Sequence, residues 1–258
     1  VTHDVVEEDA NALEQVIAGN QDFAFDLYQS LIDSQHGNLF FSPHSISTAL
    51  AMTYTGSDTL TAHQMSQVLH LPQDRQISNA GFSLLASRVA AEEEHNGYVL
   101  RLANRLWGQE GFPFREDYLT SVGSHFKSGL QTLDFARNVE SARCSINEWV
   151  AEETNNRIAG MLPAGSLGAD TRLVLTNAIY FLGKWQEQFA EHLTRNHGFE
   201  LDSGTVDVDM MWNDATFPYA YDEGIGLSIV ELPYTANAPS NQSIAMIGLV
   251  PESRDGLA

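Results

Sequence analysis

Between Leu173 and Leu182 the chain reads LVLTNAIYFL, nearly all apolar and β-branched or aromatic at Val174, Thr176, Ile179, Tyr180 and Phe181. That pattern predicts a strand, and the lack of apolar/polar alternation predicts one covered on both faces. Asn177 sits inside the run. Its amide carries two donors and an acceptor, each costing about 1–3 kcal/mol if buried unpaired, so a partner must reach across to it. Gly183-Lys184-Trp185 then closes the strand with a turn and an indole that needs an apolar slot and an acceptor for its N–H.

Upstream, residues 1–12 are acidic and expected to fray, after which Leu13, Val16, Ile17, Ala24, Leu27, Tyr28 and Leu31 fall at helical spacing. Gly19-Asn20 is expected to divide this into a short and a longer helix. Asn38 to Phe41 reads as a short apolar strand. Ser42 and Pro43 then supply an N-cap and a first-turn proline, with Gly56 as the stop of a helix over 43–55. If that helix packs on the strand, the hydroxyls of Ser42 and Ser45 can meet the amide of Asn177; on spacing alone, ordinary capping has about equal weight. A further helix runs from Asp58-Thr59 through Met65 and Leu69 to Pro72, and Ile77, Leu84, Leu85 and Val89 mark another, followed by Glu92-Glu93-Glu94 and a turn at Asn96-Gly97. His63 and His70 have no metal-like partners and read as surface histidines.

Tyr98 to Trp107 and Leu130 to Phe135 read as strands. Asn138 is expected to cap a helix carrying Ala142, Ile146, Trp149 and Val150 on one face, with Trp149 in the core. Pro163, Gly165 and Gly168 mark a loop back to the apolar strand. The rest of the chain reads as hairpins turning at Asp202-Ser203-Gly204, at Asp222-Glu223-Gly224 and between Asn237 and Asn241. Val206 and Val208 alternate with Asp207 and Asp209, which puts the aspartates on one face. The calcium loop with central glycine and terminal glutamate is absent, so a solvated face is favoured over a metal site.

Composition narrows the functional classes. With 258 residues, 43% of them hydrophobic, the chain can bury a sizeable core. Its 34 acidic against 13 basic residues, a formal charge of -21, argue against nucleic-acid and anionic-membrane partners and favour solubility or saline surroundings. The one cysteine, Cys144, precludes an intrachain disulfide. No apolar run reaches membrane-spanning length, and Val1-Thr2-His3-Asp4 does not read as a signal peptide. Neither a G-x-S-x-G elbow, an H-E-x-x-H pair nor a P-loop is present, so no enzyme and no cofactor are expected.

Several stretches carry a family resemblance. LVLTNAIYFLGKW resembles the central strand and exit of a serpin, and NLFFSPHSISTALAM, from Asn38 to Met52, resembles the serpin segment entering helix B. TLTAHQMSQVLHL is similar to helix C. ANRLWGQEGFPFREDYLTSVGSHF resembles the passage into helix E, and GLSIVELPYT and SIAMIGLVPES resemble the two strands before helix G. The resemblance runs from about residue 20 to the end. It implies an α+β serpin fold, with N-terminal helices packed on a large central sheet beside smaller sheets. It implies a single domain over 1–258, incomplete at its C-terminus, with the reactive bond outside this chain. The implied activity is inhibition of serine, or cysteine, proteases by a suicide-substrate trap in which a cleaved loop inserts into the main sheet. A non-inhibitory chaperone, carrier or storage serpin is the alternative. Carried over residue by residue, Ser42, Ser45 and Asn177 fall in the shutter beneath the sheet, Trp185 in the breach, and Trp149 on helix F, which must shift for the sheet to open. The implied partner is a target protease, met by an extracellular monomer without metal. Heparin is not expected, because the helix carrying Ile77, Leu84, Leu85 and Val89, which would be helix D, offers only Arg75 and Arg88 beside an acidic run.

Overall fold

The computed structural model describes residues 2–34, 37–95, 98–126, 128–201, 203–235 and 244–253, with backbone alone in 2–8 and 91–95. They form two compact units, one of residues 1–90 and 100–180, the other of 91–99 and 181–258.

The first unit opens with helix α1 (Thr2–Ser34), which runs unbroken through the expected interruption at Gly19-Asn20 and includes the acidic start. Gly19 is a contact glycine, not a breaker: a Cβ there would lie 2.1 Å from the carbonyl oxygen of His70. His70 itself has a positive φ of 51° and a hydrogen bond with Asp26 at 2.7 Å. Gly19→Ala should therefore lower the denaturant midpoint, because overpacking against rigid backbone costs about 1–3 kcal/mol while helix propensity returns only about 1. A raised midpoint would mean the loop at His70 yields freely.

Helices α2 (Pro43–Gly56), α3 (Thr59–Val68) and α4 (Arg75–His95) follow. Asn38 to Phe41 is not a strand. No described strand offers it a ladder, and Phe40 is 100% exposed. Val16 and Phe23 of α1, Ala51 and Tyr54 of α2, Leu69, Leu71, and Phe82 of α4 form one core among these helices.

Strands β1 (Val99–Gln109), β2 (Leu130–Leu133) and β3 (Leu173–Leu182) make a sheet ordered β2-β1-β3. β1 and β2 are parallel, Leu106 facing Leu130. β3 runs antiparallel to β1, since Gln109 N–H donates to Arg172 O while the Thr176 hydroxyl donates to Arg105 O. The period of two sorts side chains onto two faces. Ala103 and Trp107 of β1 with Val174 and Ala178 of β3 pack on helix α6 (Phe135–Glu153). Leu106 and Leu175 on the opposite face meet Ala49 and Met52 of α2 and Val122 of helix α5 (Glu116–Phe126). The expectation of cover on both faces holds for the middle of β3 and fails at its ends: Leu173 and Leu182 are exposed. Helix α6 begins earlier than expected. Asp134 is its N-cap, accepting from Arg137 N–H, and Asn138 is a kink within it at φ -132°, ψ 47°.

In the second unit, β4 (Arg195–Leu201) and β5 (Gly204–Met210) pair antiparallel, as do β6 (Tyr219–Asp222), β7 (Leu227–Pro233) and β8 (Ala245–Pro251) in that order. Asp207 and Asp209 lie on an exposed face of β5. The turns expected at Asn96-Gly97 and Asn237 to Asn241, and Asp202 of the first hairpin, lie outside the described residues. Among the described residues no helix is long and apolar enough to cross a membrane, and no group of three or more metal-ligating side chains occurs.

Candidate functional site: a polar bridge beneath the sheet

Ser42 has an extended backbone at φ -115°, ψ 101°, and its hydroxyl accepts from the N–H of Ser45 at 3.3 Å, closing the first turn of α2 behind Pro43. This N-cap aims the start of α2 at the sheet. There the amide of Asn177 donates to the backbone carbonyl of Ser45 at 3.0 Å and to Oδ1 of Asn104 on β1. One side chain thus joins β3 to both β1 and α2. Asn104 is fixed in turn, its own carbonyl accepting from the Ser128 hydroxyl at 3.0 Å.

The structure brings Ser45 and Asn177 together, but through main chain and not through the expected hydroxyl. The Ser45 hydroxyl is buried and makes no hydrogen bond among the described residues, and neither does that of Ser47. Ser42 does its bonding as a cap and leaves Asn177 untouched. The reason is directional: at the N-terminal turn the Ser45 side chain packs inward while its carbonyl lies within reach of β3. Beside them, burial pushes the His44 imidazole below its ordinary pKa, which disfavours its charged form at the positive end of α2. Asn104 was missed in the sequence because an asparagine within an alternating strand has no local signal of what it faces.

The other face of the same strands is closed by indoles. Trp107, 2% exposed, donates its N–H to the hydroxyl of Thr176 at 2.9 Å. Trp149 of α6 meets Trp107 edge-on, with centroids 5.5 Å apart and planes at 73°. The guanidinium of Arg105 lies 4.4 Å from the Trp149 ring and 5.3 Å from that of Trp107, a cation held against two π faces. Trp149 is core as expected, although its own N–H is buried without a hydrogen-bond partner among the described residues. Asn147 and Arg143 tie α6 to the returning loop by bonds to the backbone of Leu162.

Trp185 lies in the second unit, half-buried, stacked on Tyr234 at 4.4 Å and 16°. Tyr234 in turn meets Phe181 edge-on at 4.8 Å. Backbone bonds from Gln186 to Pro233 and from Thr235 to Lys184 hold this ladder in register. Gly183 leaves the room it needs, since a Cβ would lie 2.8 Å from the Tyr234 ring.

A three-stranded sheet with α6 across one face and a capped helix bonded to the other defines a class of shape, and comparison with known proteins identifies it. The chain belongs to the serpin family, described as serine protease inhibitors, whose model matches residues 18–258. It is 39% identical over 245 residues to the leukocyte elastase inhibitor of Sus scrofa, covering 93% of this chain and 62% of that protein. Ovalbumin from emu (Dromaius novaehollandiae) superimposes with a TM-score of 0.85 at 29% identity, over 94% of this chain and 65% of that one. A cleaved serpin, Serpin 42Da, does so with 0.83 at 34%, over 95% and 64%. The fold is therefore the α+β serpin fold, and the chain spans less than two-thirds of the length of these relatives.

Proposed function

We propose that this chain is part of an inhibitor that traps a serine protease by conformational change, within one serpin domain. The observation that carries the reading is the Asn177 bridge: a single amide restrains β3, an end strand of the described sheet, against both β1 and α2. A sheet that must accept a cleaved loop as a new strand has to part there. In this reading Ser42, Ser45 and Asn177, joined by Asn104, act as the shutter, and Trp185 marks the breach where insertion starts. Trp149 on α6 must shift as the strands separate. Cleavage of a reactive loop would form an acyl-enzyme, and insertion before deacylation would leave the protease distorted. The likeness to leukocyte elastase inhibitor supports a protease as partner.

The test uses the gene product that contains this sequence together with whatever continues it. Mixed with elastase-like, chymotrypsin-like and trypsin-like serine proteases, it should give with at least one of them a complex that survives denaturing electrophoresis. The cleaved protein should melt well above the uncleaved one. Cleavage by all of them with neither a stable complex nor a rise in melting temperature would overturn the reading. It would favour a chaperone, carrier or storage role, a reading compatible with the likeness to an ovalbumin, whose name states no protease.

A further inference from the structure

Away from the sheet, the end of α2 and the first turns of α4 and α5 border an open cleft of about 420 Å³, lined among others by Thr55, Arg75, Asn79, Arg115, Tyr118 and Ser121. Its polar groups are unevenly used. Nη1 of Arg75 donates to the carbonyls of Ser57 and Thr55, the latter at 3.4 Å, which anchors the guanidinium on the last turn of α2. Its Nε and Nη2 have no acceptor among the described residues, so the edge suited to bidentate contact with an oxyanion is open. Arg115 gives Nε and Nη2 to Asp117 at 3.0 and 2.6 Å, and its Nη1 has no acceptor among the described residues. That pair persists across ordinary pH, because the hydrogen bond from Arg115 holds the Asp117 carboxyl down to about 2.

The floor of the cavity is also donor-rich. Asn79, 4% exposed, accepts from the Thr55 hydroxyl at 2.8 Å and donates to the Ser121 oxygen at 3.2 Å. The Ser121 hydroxyl proton and the second amide proton of Asn79 are left without acceptors among the described residues. On the acceptor side, Asp117 is taken up by Arg115, and Asp58 caps α3 through the N–H of Thr59 at 2.8 Å. Two guanidiniums against two carboxylates make the lining formally neutral within a chain of charge -21. An anion therefore meets no net formal charge from the lining itself.

We propose that this cavity binds a small phosphorylated molecule, its tetrahedral oxyanion seated on the Nε–Nη2 edge of Arg75, with Arg115 Nη1 and the Ser121 hydroxyl as further donors. Arg75 is already immobilised by α2, so little side-chain freedom is lost on binding. The volume exceeds a bare phosphate and leaves a polar space, edged by Asn79, Thr55 and Tyr118, for the body of the ligand. The site is independent of the bridge at Asn177 and of any inhibitory role.

Inorganic phosphate is the probe, titrated calorimetrically into the purified protein with sodium chloride adjusted to hold ionic strength constant, so that screening of the acidic surface contributes nothing. One-site binding should be seen and should weaken at least about tenfold in Arg75→Gln, the scale of one lost charge-assisted hydrogen bond. Arg75→Lys should weaken it nearly as much, because a point charge does not replace the fork. Arg115→Gln should weaken it by about threefold, the loss of one hydrogen bond from an exposed guanidinium. Should Arg75→Gln fail to fold for want of its bonds to α2, Arg115→Gln still decides, since that side chain is exposed at the rim. Absence of binding by the parent protein, or unchanged affinity in a folded variant of either arginine, overturns the proposal.

Discussion

Trp107→Ala should lower the stability of the sheet-bearing unit by about 3–5 kcal/mol, the range for deleting a large buried aromatic side chain. The indole is 2% exposed, and the space it leaves lies between β1, β3 and α6, where ordered strands cannot collapse into it. Three further losses accompany the cavity. The Thr176 hydroxyl, itself in a side chain 1% exposed, loses its donor; Trp149 loses its edge-on partner; Arg105 loses one of its two rings. Against a total stability of about 5–15 kcal/mol this is a large fraction. At roughly 2–4 °C per kcal/mol for a chain of this size, the melting temperature should fall by about 6–20 °C. Trp107→Phe keeps most of the apolar surface, loses the N–H and one ring of the indole, and should cost distinctly less. Thermal melts of the two variants check this. Equal midpoints for Trp107→Ala and the parent would mean α6 is not held to the sheet through this indole.

What could be read from the sequence follows physical range. β3 was legible at both ends, Leu173 and Leu182, because a dense β-branched and aromatic run followed by Gly183 is a local signal. The N-cap at Ser42 and the stop near Gly56 were legible for the same reason. Gly19 was misread because a glycine within a helical pattern signals either a break or a close backbone approach, and only the position of His70, far along the chain, decides between them. The expected strand from Asn38 to Phe41 had the composition of a strand without a described partner, and a ladder cannot be inferred from one strand. Asn138 looked like a cap because it is one residue type that caps well, but Asp134 lies four residues earlier and takes the role. At the bridge, the demand for a partner to Asn177 was legible and its identity was not. Backbone carbonyls such as that of Ser45 leave no trace in residue type, and Asn104 is 73 residues away. The clasp of Arg105 by Trp107 and Trp149 is equally non-local, joining a strand to a helix that only the fold brings together.

The bridge makes a ranked prediction that separates it from the hydroxyl cluster the sequence suggested. Asn177→Ala should cost about 2–3 kcal/mol, because Oδ1 of Asn104 and the carbonyl of Ser45 each lose a donor in a partly buried place that water reaches poorly. Asn104→Ala should cost somewhat less, since it removes only one of the two bonds. The double variant should cost less than the sum, because a bond already lost cannot be lost again. Ser42→Ala should cost about 1 kcal/mol, the usual worth of an N-cap, independent of Asn177. Ser45→Ala should be close to neutral or stabilising, since its hydroxyl is buried without a partner among the described residues and its carbonyl, the group that matters, survives the substitution. Denaturant melts of the four single variants and the double variant give the ranking directly. If Ser45→Ala proves as costly as Asn177→Ala, the amide is held by the hydroxyl and the main-chain bridge is wrong. If Asn104→Ala and Asn177→Ala simply add, the two asparagines do not share a bond, and the Asn177 amide reaches α2 alone.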